Sequence, residues 1–332
     1  MEKRIGKIRD VARETGLSIA TISRVMNGSA KVTEETRHRV EAACKKLNYF
    51  PNAAARSLST NKTKTIATII PNIEHSIYAK FISAIEQTLS ERQYSLVLAI
   101  SNGDEEIEFK EARKLLGMGS EAFILSGARH SPELYDLLEG RNIPYVFTSV
   151  WDPALPTPMI GYDNSGLARA ALTYLKSKGH SEIAVVHGPV DSSDRISARV
   201  AGARQACGKT MNVTFFETSL DASGGKHAVQ ALLERATNVT AILCLSDVLA
   251  LGVYFGLAAA GLSVPDDMSV MGFDNLDWST EIVPPLTTTN LPARKMGRSV
   301  ALQLMDLLDI NKDLEPTLLE GQIIERGSVL SV

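Results

Sequence analysis

The chain has 332 residues, 44% of them hydrophobic and 22% charged, with a net charge of −3 and three cysteines. That balance, free of any low-complexity tract, excludes a disordered or collagen-like chain and supplies apolar residues for more than one core. No run approaches the ~18 apolar residues of a membrane span, Met1 to Asp10 lacks the apolar centre of an export signal, and Cys44, Cys207 and Cys244 cannot all pair within one chain. A reducing cytoplasm is therefore the expected compartment.

The first predicted elements are two short helices in residues 8–27. Ile8, Val11 and Ala12 lie at helical spacing, as do Ile22, Val25 and Met26 beyond a turn at Gly16, so each helix can bury one stripe. Ser18 is placed as N-cap of the second helix. Its outward face carries Ile19, Ala20, Ser23 and Arg24. Such a helix pair fits a DNA major groove, where the N-terminal part of the second helix meets base edges. Arg24 can fork onto guanine and Ile19 and Ala20 can touch thymine methyls, which makes these three the candidate base readers. Ser18, Thr21, Ser23 and Asn27 are short donors suited to phosphate contacts that set register.

A helical hairpin with one exposed arginine is the competing reading, and the charge distribution weighs against it. Residues 1–65 carry a net charge of +8 and the remainder −11. A basic head on an acidic body is the electrostatic footprint of a phosphate partner. A third helix follows, with Thr33 as cap, Glu34 and Glu35 in its first turn, and Val40, Ala43 and Leu47 closing a small core. Pro51 ends it, and the run from Asn52 to Leu58 has the composition of one or two helical turns, too short to persist without packing. A polar linker, residues 59–64, places Lys62 and Lys64 within reach of phosphates.

From Thr65 onward, β-rich runs alternate with helical ones. Strands are expected at residues 65–70, 95–100, 122–125, 145–148, 183–186, 213–216, 241–245 and 269–273, with helices such as 77–91, 106–116 and 248–260 between them. This alternation predicts parallel sheets covered by helices, and two sets of four strands predict two similar lobes. Ligands of open α/β sheets sit at the carboxyl ends of the strands. The candidates there are Tyr78, Ser126, Ser149, Ser246 and Asp274, with Arg199 in the helix after Gly188 and Pro189. Arginine offers a rigid fork, aspartate accepts from two hydroxyls and tyrosine supplies an apolar face, the chemistry a polyhydroxylated ligand needs. Capping serines and a core tyrosine are the plainer readings of Ser126, Ser149 and Tyr78.

The order DVA, S-x-x-T-I-S-R-V-x-N, LNY-x-PN and a short alanine-rich segment ending in leucine resembles the lactose-repressor and galactose-repressor family of transcription factors, over essentially the whole chain. The resemblance implies an N-terminal helix-turn-helix head (residues 1–50), a hinge helix and linker (51–64), an N-terminal lobe (65–162 with 292–322), a C-terminal lobe (163–291) and a C-terminal tail (323–332). The core would be built like a periplasmic sugar-binding protein, with crossovers near residues 160–165, 290–293 and 320. It further implies base contacts from Ile19, Ala20 and Arg24, backbone contacts from Lys31, Thr33 and Asn52, and a minor-groove wedge at Leu58 beside the small Ala55. R-x-x-G at Arg199 and G-F-D ending at Asp274 match the family's ligand site, whereas Ile19-Ala20, Ser149, Ser246 and residues 75–78 depart from common family patterns. Asp163-Asn164 matches a crossover motif in which Asp163 reads as structural. The implied partners are operator DNA, a second copy of the chain and a sugar or sugar-phosphate effector. A homodimer is expected over a tetramer, because no leucine heptad follows the core.

Two other function classes were weighed. Gly117 to Ala122 fits a G-x-G-x-x-A dinucleotide fingerprint in letters, but it follows a predicted helix and precedes a strand, the reverse of the order a pyrophosphate site requires. No phosphate loop, nucleophile elbow or metal-ligand spacing accompanies it, so neither catalysis nor a cofactor is expected. A sugar-binding protein without DNA function would share the lobes, and a regulator taking a purine or other metabolite as corepressor would share the entire pattern.

Overall fold

The computed structural model describes residues 6–26, 32–50, 62–73, 76–208, 211–235 and 238–332. The chain divides into two compact units, Met1–Thr63 and Lys64–Val332.

In the first unit the helices are α1 (Ile8–Thr15), α2 (Ile19–Met26) and α3 (Glu34–Leu47). Asp10 accepts from the Lys7 amide at 3.0 Å to start α1, and Gly16 ends it in the left-handed region at φ +64°. A side chain is disfavoured in that conformation, so glycine suits the tight turn. Ser18 then caps α2, its hydroxyl accepting from the Thr21 amide at 3.1 Å. Thr33 caps α3 in the same way through Thr36. Val11, Ile22, Val25, Val40, Ala43 and Cys44 form the buried centre. Six small side chains make a core of limited reserve.

The second unit contains, in order, β1 (Thr65–Ile70), α4 (Ser76–Ser90), β2 (Ser95–Ile100), α5 (Glu105–Gly117), β3 (Ala122–Ser126), α6 (Pro132–Glu139), β4 (Tyr145–Thr148), β5 (Met159–Gly161), α7 (Asn164–Ser177), β6 (Glu182–His187), α8 (Asp194–Ala206), β7 (Asn212–Glu217), α9 (Ala222–Glu234), β8 (Ala241–Cys244), α10 (Asp247–Ala259), β9 (Ser269–Asp274), β10 (Thr287–Asn290), α11 (Ala293–Ile310), β11 (Thr317–Leu318) and β12 (Gln322–Ile324). They build two sheets, ordered β11-β5-β4-β3-β1-β2 and β12-β10-β9-β8-β6-β7. All pairings are parallel except β10 with β12. In each sheet the strand order reverses beside the first strand, β1 or β6, and the crevice at such a reversal is where α/β folds bind ligands.

The chain changes sheet three times, between β5 and α7, between β10 and α11, and between β11 and β12. Helix α11 packs on α4 of the first lobe, and α7 packs on α8 of the second. One buried cluster, including Phe81, Ile85, Leu172, Val200, Met296 and Leu304, runs through the helices between the sheets. Two further clusters fill the outer layers.

The expectation of four strands per lobe is corrected to six. The four additional strands are two to four residues long and lie at the crossovers, where no period can build up. Residues 323–332 do not form a free tail. Ser328 is fully buried and bonds both the Val270 carbonyl (2.6 Å) and the Thr287 amide (2.7 Å), and the Val332 amide donates to the Lys178 carbonyl (2.8 Å). Lys64 does not reach outward either: its ammonium donates to the Arg92 carbonyl (3.2 Å) and lies over the Tyr94 ring.

Candidate functional site

On the first unit, α2 buries Ile22 and Val25 and leaves Ser18, Ile19, Ala20 and Arg24 exposed. Ile19 is 45% exposed, although burial would favour it. Together with Arg24 it gives this helix face an apolar contact and a guanidinium fork one turn apart. The Ser18 and Thr21 hydroxyls lie 2.9 Å apart, and Thr33 and Thr36 form a matching pair. Ser18 and Thr33 are therefore engaged as caps, with hydroxyl oxygens still on the surface. Ser23 is half-buried. Asn27, Lys31, Asn52, Ala55 and Leu58 lie outside the described residues.

In the second unit a cavity of about 210 Å³ opens where strand carboxyl ends of the two lobes face each other. Pro71 and Asn72 follow β1, Asn102 and Gly103 follow β2, Ser149 follows β4, Leu245 and Ser246 follow β8, and Asp274 ends β9. Tyr78 from α4, Arg195 and Arg199 from α8, and Met296 from α11 complete the polar and apolar walls.

Arg199 is buried and fully oriented. Its Nε donates to Asn164 Oδ1 (2.9 Å), its Nη1 donates to the Leu245 carbonyl (2.9 Å), and it lies 3.7 Å from Asp274 and over the Phe273 ring. Asp274 accepts from the Ser246 hydroxyl (2.8 Å). It sits at φ +136°, a backbone state that few side chains adopt, and strain of this kind is characteristic of ligand clamps. Ser149, at φ +67°, packs its amide on Met296 sulfur, and its carbonyl accepts from Asn164 Nδ2 (2.8 Å). Asn164 therefore connects Arg199 of one lobe to the Ser149 backbone of the other, beside a crossover. Asp163 caps α7 through the Gly166 amide (2.8 Å).

Behind Asp274 lies a second carboxyl. Asp247 is fully buried, bonded by the Thr288 hydroxyl (2.6 Å) and the Leu276 amide (2.8 Å). Burial, and then the nearby Asp274 charge, pushes its pKa up to about 7. Arg195 is buried as well. Burial opposes its charge, but Tyr78, Asp194 and Tyr162 outweigh that and hold the guanidinium above its ordinary range.

Of the residues expected from sequence, Tyr78, Ser149, Arg199, Ser246 and Asp274 line this cavity. Ser126 does not: it lines a smaller adjoining space of about 30 Å³ with Ser101, Glu108, Arg129 and Asp194. Position at a strand end gives the rim of the sheet but not which way the side chain faces, since direction alternates residue by residue. Sequence reasoning missed Arg195 as a cavity residue and Asn164 as the group that orients Arg199. Arg195 stands four positions before Arg199 on one helix, which puts both on one face and was the available signal.

The comparisons with known proteins meet this geometry. Residues 7–52 match the family described as bacterial regulatory proteins, lacI family, and residues 63–318 match periplasmic binding proteins and sugar binding domain of LacI family. This chain belongs to the LacI family. It is 33% identical to the ribose operon repressor of Escherichia coli (strain K12), over 97% of this chain and 99% of that protein. It is 32% identical to catabolite control protein A of Priestia megaterium, over 90% and 91%. Among solved structures, the lac repressor dimer bound to operator and the anti-inducer ONPF superposes with a TM-score of 0.87 at 26% identity, covering 98% of this chain and 100% of that one. A LacI-family chain with both a matched head and a matched core is an effector-gated DNA-binding regulator of transcription. Among the described residues no helix is long and apolar enough to cross a membrane.

Proposed function

We propose that this LacI-family regulator represses transcription in the cytoplasm as a homodimer, one head on each half of a pseudo-palindromic operator, and that a small sugar in the interlobe cavity sets its affinity for DNA. The observation that carries this reading is the Arg199–Asp274–Ser246 constellation, a buried fork, carboxylate and hydroxyl held together at the strand ends of the second lobe. Polyhydroxylated ligands are bound by such convergent donors and acceptors in a largely apolar pocket. The ribose operon repressor among the relatives supports a sugar as effector. No step in this function is catalytic.

In this reading Ile19, Ala20 and Arg24 read bases, and Ser18, Thr21, Ser23, Asn27, Lys31, Thr33 and Asn52 hold the sugar-phosphate backbone. Leu58 beside Ala55 enters the minor groove. Tyr78, Ser149, Arg199, Ser246 and Asp274 contact the effector. Because Asn164 ties Arg199 to the Ser149 carbonyl beside a crossover, a ligand that draws on Arg199 also acts on the angle between the lobes. It shifts that angle only by its difference in affinity for the two arrangements.

The test selects bound fragments from random duplex DNA at fixed salt, then repeats binding with ribose, glucose, galactose, their phosphates and purines. A palindromic consensus whose affinity a sugar changes is the expected result. Tight sugar binding with no sequence preference for DNA would refute the head's role, and a palindrome shifted only by a purine would refute the sugar.

A further inference from the structure

The interlobe cavity adjoins a smaller space, and the two share part of their lining. Arg195 lines both the large cavity and the smaller one beyond it, and with Pro71, Gly103 and Ser193 it is among the residues the two spaces share. Its Nη1 donates to Asp194 Oδ1 (2.9 Å), and Asp194 Oδ2 in turn accepts from the Ala128 amide of the opposite lobe (2.7 Å). Tyr78, from the opposite lobe, lines the large cavity together with this guanidinium. The first lobe makes room for this group at Gly127, φ +97°, where a Cβ would fall 2.2 Å from Arg195 Nη1 and 2.9 Å from the Asp194 carboxylate. The arginine is thus held in place from both sides of the cleft.

The lining of the smaller space is mainly polar, with Ser101, Asp104, Glu105, Glu108, Ser126 and Arg129. Ser126 Oγ is buried there without a hydrogen-bonding partner among the described residues. Leaving a buried hydroxyl unpaired is unfavourable, so this space suits a polar group. As it stands it is about the size of one water molecule.

We propose that Arg195 is the residue that sets the length of effector the cleft accepts. With Arg195 in place the site takes a single sugar ring, and without it the two spaces join into a longer polar groove that ends at the Ser126 hydroxyl. The inference rests on the reading of the interlobe cavity as a sugar site and names the limit of that site. Arg195 acts as a steric partition through the length of its side chain.

The test uses the full chain and its Arg195→Ser and Arg195→Met variants, with thermal shift and calorimetric titration against ribose, glucose, galactose, methyl galactoside, lactose, maltose and cellobiose. The wild-type protein is expected to bind a monosaccharide and to reject all three disaccharides. Arg195→Ser is expected to gain at least about tenfold in affinity for a disaccharide, close to 1.4 kcal/mol. Arg195→Met, nearly as long but uncharged, keeps the wild-type limit. Wild-type affinity for a disaccharide equal to that for a monosaccharide would overturn the proposal without any variant, which protects the test if Arg195→Ser does not fold. An unchanged limit in a folded Arg195→Ser protein would overturn it too, leaving the sugar reading intact. If no sugar shifts any of the proteins, that reading falls and the proposal with it.

Discussion

Replacing Arg199 by methionine tests the constellation on which the functional reading stands. Methionine keeps much of the length and the contact with Phe273 but removes both charged hydrogen bonds, to Asn164 and to the Leu245 carbonyl, and the ion pair with Asp274. The two partners are 8% and 5% exposed, so the carboxylate left behind cannot recover its solvation. Removing one member of a buried pair costs about 3–5 kcal/mol, most of it from the stranded charge. Asp274 keeps the Ser246 hydroxyl and a long contact from the Asp247 amide (3.4 Å), with a second carboxyl behind it. The double variant Arg199→Met/Asp274→Asn removes the stranded charge and should recover more than half of the loss. Both tryptophans, Trp151 and Trp278, lie in the second unit, so urea unfolding followed by their fluorescence reads the lobes and not the head. A single-variant loss below about 1 kcal/mol, in the range of an exposed pair, or a double variant no better than the single, would refute the reasoning.

Three further outcomes are expected. In the folded chain Asp247 keeps its proton up to about pH 7, whereas an unfolded-chain aspartate loses it near pH 3.9; the folded state then holds more protons between those values, so stability falls as pH rises through that window. Asp247→Asn should flatten this slope in urea titrations from pH 4 to 8, and an unchanged slope would exclude Asp247 as its source. Ile22→Ala, in a centre of six buried side chains, should cost about 2–5 kcal/mol and abolish DNA binding while leaving the tryptophan-monitored transition in place; retained operator binding would show that the head tolerates the cavity. Arg24→Ala, on an exposed site, should leave stability within about 0.5 kcal/mol and relax selectivity at one base pair per half-site by about 1–3 kcal/mol. Uniform weakening on all sequences would reassign Arg24 to phosphate.

The long strands were legible because their signal is local. Runs such as Ala122–Leu125 and Ala241–Cys244 are continuous apolar segments, as strands covered on both faces must be. Thr287–Thr289 is buried without being apolar; Thr287 bonds Ser328 and Arg326 and Thr288 bonds Asp247, partners that no window of sequence reveals, while Thr289 Oγ1 has none among the described residues. The same holds for residues 323–332, whose place in the second lobe depends on pairing with elements more than thirty residues away. Arg199 and Asp274 stood out by their motifs, and Ser18 by capping. Arg195 did not, because a charged residue in the first turn of a helix reads as solvated, and only the opposed lobe makes it buried. Ser126 stands on the expected rim and lines the smaller adjoining space.

The three passages of the chain between the sheets also fix how the protein can be made. The first lobe is not closed until α11 and β11 have been synthesised, near residue 318, by which point nearly all of the second lobe has already left the ribosome. Helix α11 must then return past a neighbour that still awaits β12 in order to cover α4. No single cut of the gene yields either lobe whole. A message truncated after residue 290 would encode a DNA-reading head joined to a core lacking α11, β11 and β12, with the apolar faces that α11 covers left open. Quality control would meet a misfolded chain there rather than a shortened regulator that ignores its effector.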